Sequence, residues 1–103
     1  MIYNWYINEM EVSPSLDGLT NVVKKINFTY EAVDGEYRTW IRDNYFCPNP
    51  SSTDFTAYDN LTKEQVIGWL ESGLDLVDLQ KQLQDKIDML KISLVSLPLP
   101  FEN

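Results

Sequence analysis

The sequence predicts an α+β fold: a three-stranded antiparallel meander followed by an αα-hairpin and an extended apolar C-terminal tail. Three observations carry that prediction. Residues 1–46 alternate apolar and polar side chains in runs separated by turn formers, the period-two signature of half-buried strands. Residues 61–92 hold two runs with apolar spacing of three and four, each opened by a capping residue. Beyond them an apolar stretch is broken by Pro98 and Pro100, which forbid a helix interior or a central strand. The segments divide as sheet 1–46, a Pro/Ser-rich linker 47–60, helices 61–92 and tail 93–103. At 103 residues they make one domain.

The first strand is read over residues 3–12. Trp5 and Ile7 fall on one phase of the alternation, Met10 and Val12 on the other, so the pattern slips near Glu9. A β-bulge or an end of pairing accounts for the slip equally well. "SPSLDGLT" follows as a turn region. In the second strand, 20–32, Val22, Ile26, Phe28, Tyr30 and Ala32 share one face, and Val23, Lys25, Asn27, Thr29 and Glu31 the other. Asp34-Gly35 then reads as a two-residue type I′ turn, which needs positive φ at both positions. The returning strand, 36–46, is large on both faces, with Tyr37, Ile41 and Tyr45 on one and Trp40 and Phe46 on the other. Helices are expected over one face and something else over part of the other.

The linker, "CPNPSSTDFTAYDN", is too rich in proline and small polar residues for regular structure, and Phe55 and Tyr58 are expected to pin it. In "LTKEQV", Thr62 caps a helix and Gln65 is placed to complete a capping box, with Leu61 and Val66 as the hydrophobic staple. That helix is expected to reach Ser72, with Gly73 as a left-handed stop. Asp75 caps the second helix, with Leu74 and Leu79 as its staple and an expected span of 76–92. Its stripe, Leu76, Leu79, Leu83, Ile87 and Leu90, either packs on the domain's own sheet or forms a short self-associating seam. Lys81, Lys86 and Lys91 lie toward its later half, where they suit the helix dipole.

Composition narrows the function classes. Net charge is −8, which disfavours nucleic-acid phosphates and anionic membrane surfaces as partners. The acids are spread, seven with four bases in residues 1–46 and again in 61–103. That distribution suits solubility better than mimicry of a nucleic acid. Histidine is absent and Cys47 is the single cysteine. The chain therefore lacks the commonest general base, zinc-ligand spacing and an internal disulfide. No glycine-rich phosphate loop or nucleophile elbow is present. The expectation is a non-enzyme with no cofactor, metal site or small-molecule substrate. No signal peptide or membrane-spanning run is read, so synthesis is expected in the cytoplasm. Trp5, Trp40 and Trp69 are read as core or subunit interface, with a stacking platform for a ligand as the alternative.

Taken in order, "YNWYINEMEVSP", "LTNVVKKINFTY", "FTAYDNLTKEQVIGWL" and "LPLPF" resemble a family of small proteins of tailed bacteriophages and prophages. Its features are a Tyr-x-Trp-x-Ile start, an Asn-Val-Val strand, an LT-x-EQVI-x-W helix and a Pro-Leu-Pro-aromatic tail. The helix motif is the most specific, matched here at Leu61, Thr62, Glu64, Gln65, Val66, Ile67 and Trp69. Family members often end in tryptophan, where this chain has Phe101 followed by Glu102 and Asn103. The resemblance implies a phage origin. It extends to a virion-associated structural role, as a capsid decoration, fibre-attachment or tail accessory subunit. The alternative is an intracellular acidic protein that binds and modulates a host enzyme. The expected partners are further copies of the chain, a trimer first, and other virion proteins. The candidate interface residues are Trp40, Phe46, Leu83, Ile87, Leu90, Leu94, Leu97, Leu99 and Phe101. The tail lies either over its own domain or on a neighbouring subunit.

Overall fold

The computed structural model describes residues 1–103. Three antiparallel strands, β1 (Ile2–Leu16), β2 (Leu19–Asp34) and β3 (Tyr37–Phe46), form one sheet in the order β1-β2-β3. Two helices follow, α1 (Lys63–Gly73) and α2 (Leu76–Leu90). The linker holds one 3₁₀ turn, Tyr58–Asn60. The α+β prediction, sheet first and helices second, therefore holds.

Two bulges set the facing of the sheet. Ile7 pairs with Phe28 and Glu9 with Asn27, so Asn8 is the extra residue on β1. The alternation slips there, and Trp5, Ile7, Met10 and Val12 all pack against one core. A second irregularity lies on β2, where Glu11 pairs with Lys25 and Val12 with Val23, leaving Lys24 extra. That slip turns Val23 onto the core face, where it is buried. The expectation that Val23 shares a face with Lys25, opposite Ile26 and Phe28, fails because strict alternation does not cross a bulge.

The turns differ from expectation in the same local way. Leu16 pairs with Leu19, so the tight turn of the first hairpin is Asp17-Gly18. Both residues have positive φ, 50° and 80°, as a type I′ turn requires. The strands run into this turn, and Pro14 is tolerated because β1 is an edge strand. In the second hairpin Asp34 pairs with Tyr37, so the central residues are Gly35-Glu36 rather than Asp34-Gly35. Only Gly35 has positive φ, 61°, the type II′ pattern with glycine first.

The helices cover one face of the sheet. Ile26, Phe28, Tyr30 and Ala32 of β2 meet Val66 and Leu70 of α1 and Leu83 and Ile87 of α2, all buried. Aromatic packing extends this layer across the strands: Trp5 lies 4.1 Å from Tyr30 and 5.6 Å from Phe28, centroid to centroid. Gln80 Nε2 donates to the Tyr30 hydroxyl at 3.0 Å, which ties α2 to the middle strand. Leu83 and Ile87, expected among the interface residues, are fully inside this core. The stripe of α2 is thus a sheet-packing face and not a seam between chains. Only its end, Leu90, runs off the sheet and is exposed. The helix stops at Leu90, two residues short of the expected end, with Lys91 as its cap.

The helix caps form as read, with two corrections. Thr62 Oγ1 accepts from the Gln65 backbone N–H at 3.2 Å, and Asp75 Oδ1 from that of Asp78 at 3.0 Å. The reciprocal half of the Thr62 capping box is absent, because the Gln65 side chain donates to Thr56 of the linker instead, at 2.9 Å. Gly73 is not a left-handed stop, because it lies inside α1 and its φ is not positive. It is crowded instead: a Cβ there would overlap the Tyr45 ring, 2.6 Å from its Cε1, unless that ring moves.

This gives a testable sign. Alanine is otherwise the better helix former by about 1 kcal/mol, yet Gly73→Ala is expected to lower stability by about 1–3 kcal/mol through overpacking. In a Tyr45→Ala background the same change is expected to raise stability. Denaturant unfolding of the four chains decides it.

Candidate interaction surface

With one sheet face under the helices, the opposite face carries a polar network joining all three strands. Glu31, the one buried polar residue, accepts from Asn4 Nδ2 at 3.1 Å and from the Tyr6 hydroxyl at 3.4 Å. Its second oxygen meets Arg38 Nε at 3.3 Å. Further along, Asn27 accepts from Asn8 Nδ2 and Arg42 Nε and donates to Asn44. These bonds satisfy a mid-strand carboxylate that would otherwise be costly to bury. The sequence pattern had placed Glu31 only on the face opposite Ile26 and Phe28, and nothing in its spacing announced its partners. Set among these polar groups, Trp40 and Phe46 of β3 are 56% and 70% exposed. The expected partial cover over this face is not supplied by the chain itself.

Beyond α2, residues 93–103 carry no helix or strand and are exposed throughout. The apolar side chains from Ile92 to Phe101 are 54–81% exposed. Of the two readings of the tail, over its own domain or on a neighbouring subunit, the single chain shows no packing of the first kind. Of the nine candidate interface residues, seven are exposed: Trp40 and Phe46 on the sheet, Leu90 at the helix end, and Leu94, Leu97, Leu99 and Phe101 on the tail. The structure brings the last four together on one segment.

A third feature was not read from the sequence. Between β2, the end of β3, α1 and the linker lies an open cavity of about 360 Å³, lined by Val23, Tyr45, Cys47, Phe55, Leu61 and Trp69 among others. Phe55 is half-buried there, as its expected role in pinning the linker requires, and the 3₁₀ turn that holds Tyr58 lies against β2, with Tyr58 itself 37% exposed. Lys24 fastens the start of the linker by donating to the Cys47 carbonyl at 2.9 Å and to Asn49 Oδ1 at 2.6 Å. Burial pushes the Cys47 thiol above its ordinary value, and the Lys24 charge offsets part of that rise. Its reactivity at neutral pH is correspondingly low. Nothing in the sequence signalled this site, since Gly73 at the end of α1 reads locally as a helix stop.

At the far end of the sheet, Lys91 Nζ lies 2.6 Å from Asp34 Oδ2 and 5.8 Å from the Tyr37 ring centroid. It therefore ties the end of α2 to the second hairpin rather than serving the dipole alone. The hydrogen bond from Lys91, followed by its charge, holds the Asp34 carboxyl below the usual carboxylate range. The same hydrogen bond raises Lys91. The depressed carboxyl contributes fully above the ordinary carboxylate pKa and is lost as pH falls through its lowered value. The raised ammonium contributes below the ordinary lysine pKa and is lost as pH rises through its raised value. Amide exchange in the last turn of α2 is therefore expected to quicken at both extremes relative to mid-helix amides. Lys91→Ala is expected to flatten that profile.

No group of three or more His, Cys, Asp or Glu side chains is placed to hold a metal ion, and no helix is long and apolar enough to cross a membrane. Fold and surface together define a small sheet-and-helix domain with exposed apolar elements on the sheet and on a trailing segment. By sequence comparison the chain belongs to the family described as a domain of unknown function, DUF7936, which it matches over residues 1–101. The match extends through Phe101, so the tail lies within the family's domain. No curated protein and no solved structure matches the chain.

Proposed function

We propose that this protein is a non-enzymatic assembly subunit, a homo-oligomer that takes its place in a larger particle. The resemblance to small phage proteins makes the virion that particle, with a capsid decoration, fibre-attachment or tail accessory role. The observation that carries the reading is the tail: six apolar side chains between Ile92 and Phe101, each more than half exposed on an isolated chain. Monomeric proteins rarely leave a contiguous apolar surface beyond a few hundred Å² open to water, and those that do use it to bind. Trp40 and Phe46 add aromatic area of the kind that anchors interfaces. Closed cyclic symmetry is the usual outcome for identical subunits, and a trimer is the first expectation.

Two measurements test this. Light scattering of the purified chain is expected to give a multiple of 12.0 kDa; a monomer at high concentration overturns the homo-oligomer. Mass spectrometry of purified phage particles is expected to find many copies. Absence from particles together with early expression overturns the virion role and favours the regulator of a host enzyme.

A further inference from the structure

We propose that the cavity between β2, the end of β3, α1 and the linker is the seat for the Pro98–Phe101 segment of a second copy of this chain. The inference rests on the assembly reading above and adds to it a defined lock and key.

The direction in which the tail leaves the domain disfavours the chain's own tail. The junction of α1 and α2 lies at Gly73, against Tyr45 at the cavity end of β3. From there α2 passes Trp40, whose carbonyl accepts from Lys86, and ends with Lys91 on Asp34 at the opposite end of the sheet. The tail thus leaves the domain at the end remote from the cavity. Asp34 pairs with Tyr37, and the strand path from Tyr37 to Tyr45 is about 27 Å. The seven steps from Lys91 to Pro98 span about 22 Å in a polyproline-like path and at most about 25 Å fully extended. Pro98 therefore falls short of its own cavity, and Leu99 to Phe101 could span the distance only on a near-straight extended path that also reverses direction; in the structure the Leu99 and Phe101 side chains are both exposed. A second copy has no such limit.

Chemistry matches occupant to site. Proline-rich segments dock on grooves lined by aromatic rings, because their stiff backbone loses little freedom on binding. The cavity presents Tyr45, Phe55 and Trp69, and its volume of about 360 Å³ lies within the range of about 300–1,000 Å³ typical of ligand sites. Leu99 and Phe101, 61% and 63% exposed on the donor chain, supply the apolar side chains that such a site takes up. Charge agrees as well. Lys24 touches a carbonyl and an amide oxygen beside Cys47 and enters no ion pair. Glu102, next to Phe101, is the complement it lacks. Asp54 lines the cavity, whereas Lys24 stands beside it, bonded to its lining residues Cys47 and Asn49, which directs Glu102 toward the Lys24 side.

Cys47 makes the test direct, because it lines the cavity and is the only thiol in the chain. Wild-type chain is mixed with a Cys47→Ser/Phe101→Cys variant under mild oxidation at alkaline pH, which offsets the raised thiol. A Cys47→Ser/Asn103→Cys variant keeps Phe101 and covers the case in which its ring is needed for docking. The control places the new thiol at Val77, 81% exposed on α2. With chains at about 10 μM, a docked tail meets its cavity at an effective concentration of about 1 mM, so the mixed disulfide is expected about a hundredfold faster than in the control. An assembly that forms normally with no faster cross-linking of either tail variant overturns the cavity as the seat while leaving the assembly reading intact. An intramolecular disulfide in dilute Phe101→Cys chain that retains Cys47 overturns the second copy as occupant. A wild-type chain that stays monomeric overturns both readings.

Discussion

Leu83→Ala is expected to lower the stability of the domain by about 3–5 kcal/mol, among the larger costs of a core truncation. Leu83 is fully buried, in the core that α2 makes with Ile26, Phe28, Tyr30 and Ala32. Removing its branched end leaves a cavity that the neighbouring strand and helix cannot close without moving backbone. Against a total of about 5–15 kcal/mol for a domain of this kind, that loss places Tm lower by about 15–25 °C. Leu90→Ala, on the same stripe but half exposed, is expected to cost less than about 1 kcal/mol, because most of its surface already meets water. Thermal or urea unfolding of the two variants, followed by circular dichroism, checks the contrast. A seam between chains would invert it, with Leu83→Ala dissolving the assembly and sparing the monomer.

Deleting residues 95–103 is expected to do the opposite. The deleted side chains are exposed, and no hydrogen bond joins them to the sheet or helices. Stability of the remaining domain is expected to stay within about 0.5 kcal/mol of the parent, as for other surface changes. The assembly, by contrast, is expected to collapse to single chains, because the segment carries the exposed side chains of Val95, Leu97, Leu99 and Phe101 on one continuous strip. Sedimentation of the shortened chain reads both effects, since a folded monomer sediments as a compact particle of lower mass. A shortened chain that unfolds would make the tail a lid on its own core. One that still assembles would move the contact to Trp40 and Phe46.

The strands, the two capped helices and the break after α2 were legible because each rests on local chemistry. Thr62 and Asp75 cap their helices as their positions require, and the slip between Ile7 and Met10 was a bulge. The misreadings cluster where a local signal had more than one use. Asp34-Gly35 is a good turn pair, but the pairing of Asp34 with Tyr37 moved the turn by one residue. Gly73 follows a helical run, where a left-handed stop is common, yet the Tyr45 ring decides that position.

The candidate surface divides along the same line. That Leu94, Leu97, Leu99 and Phe101 belong to an apolar strip interrupted by Pro98 and Pro100 follows from residue type alone. That Leu83 and Ile87 face the sheet, while Trp40 and Phe46 face water, does not. An amphipathic stripe states that a helix buries one side, not what it is buried against. Residue order thus settled the elements, their caps and the breaks between them, since those depend on neighbours a few positions away. The tertiary structure alone decided which apolar groups are core and which are surface, and where linker, β2, β3 and α1 enclose a cavity. Burial is a property of packing between segments far apart in the chain, and no local pattern encodes it.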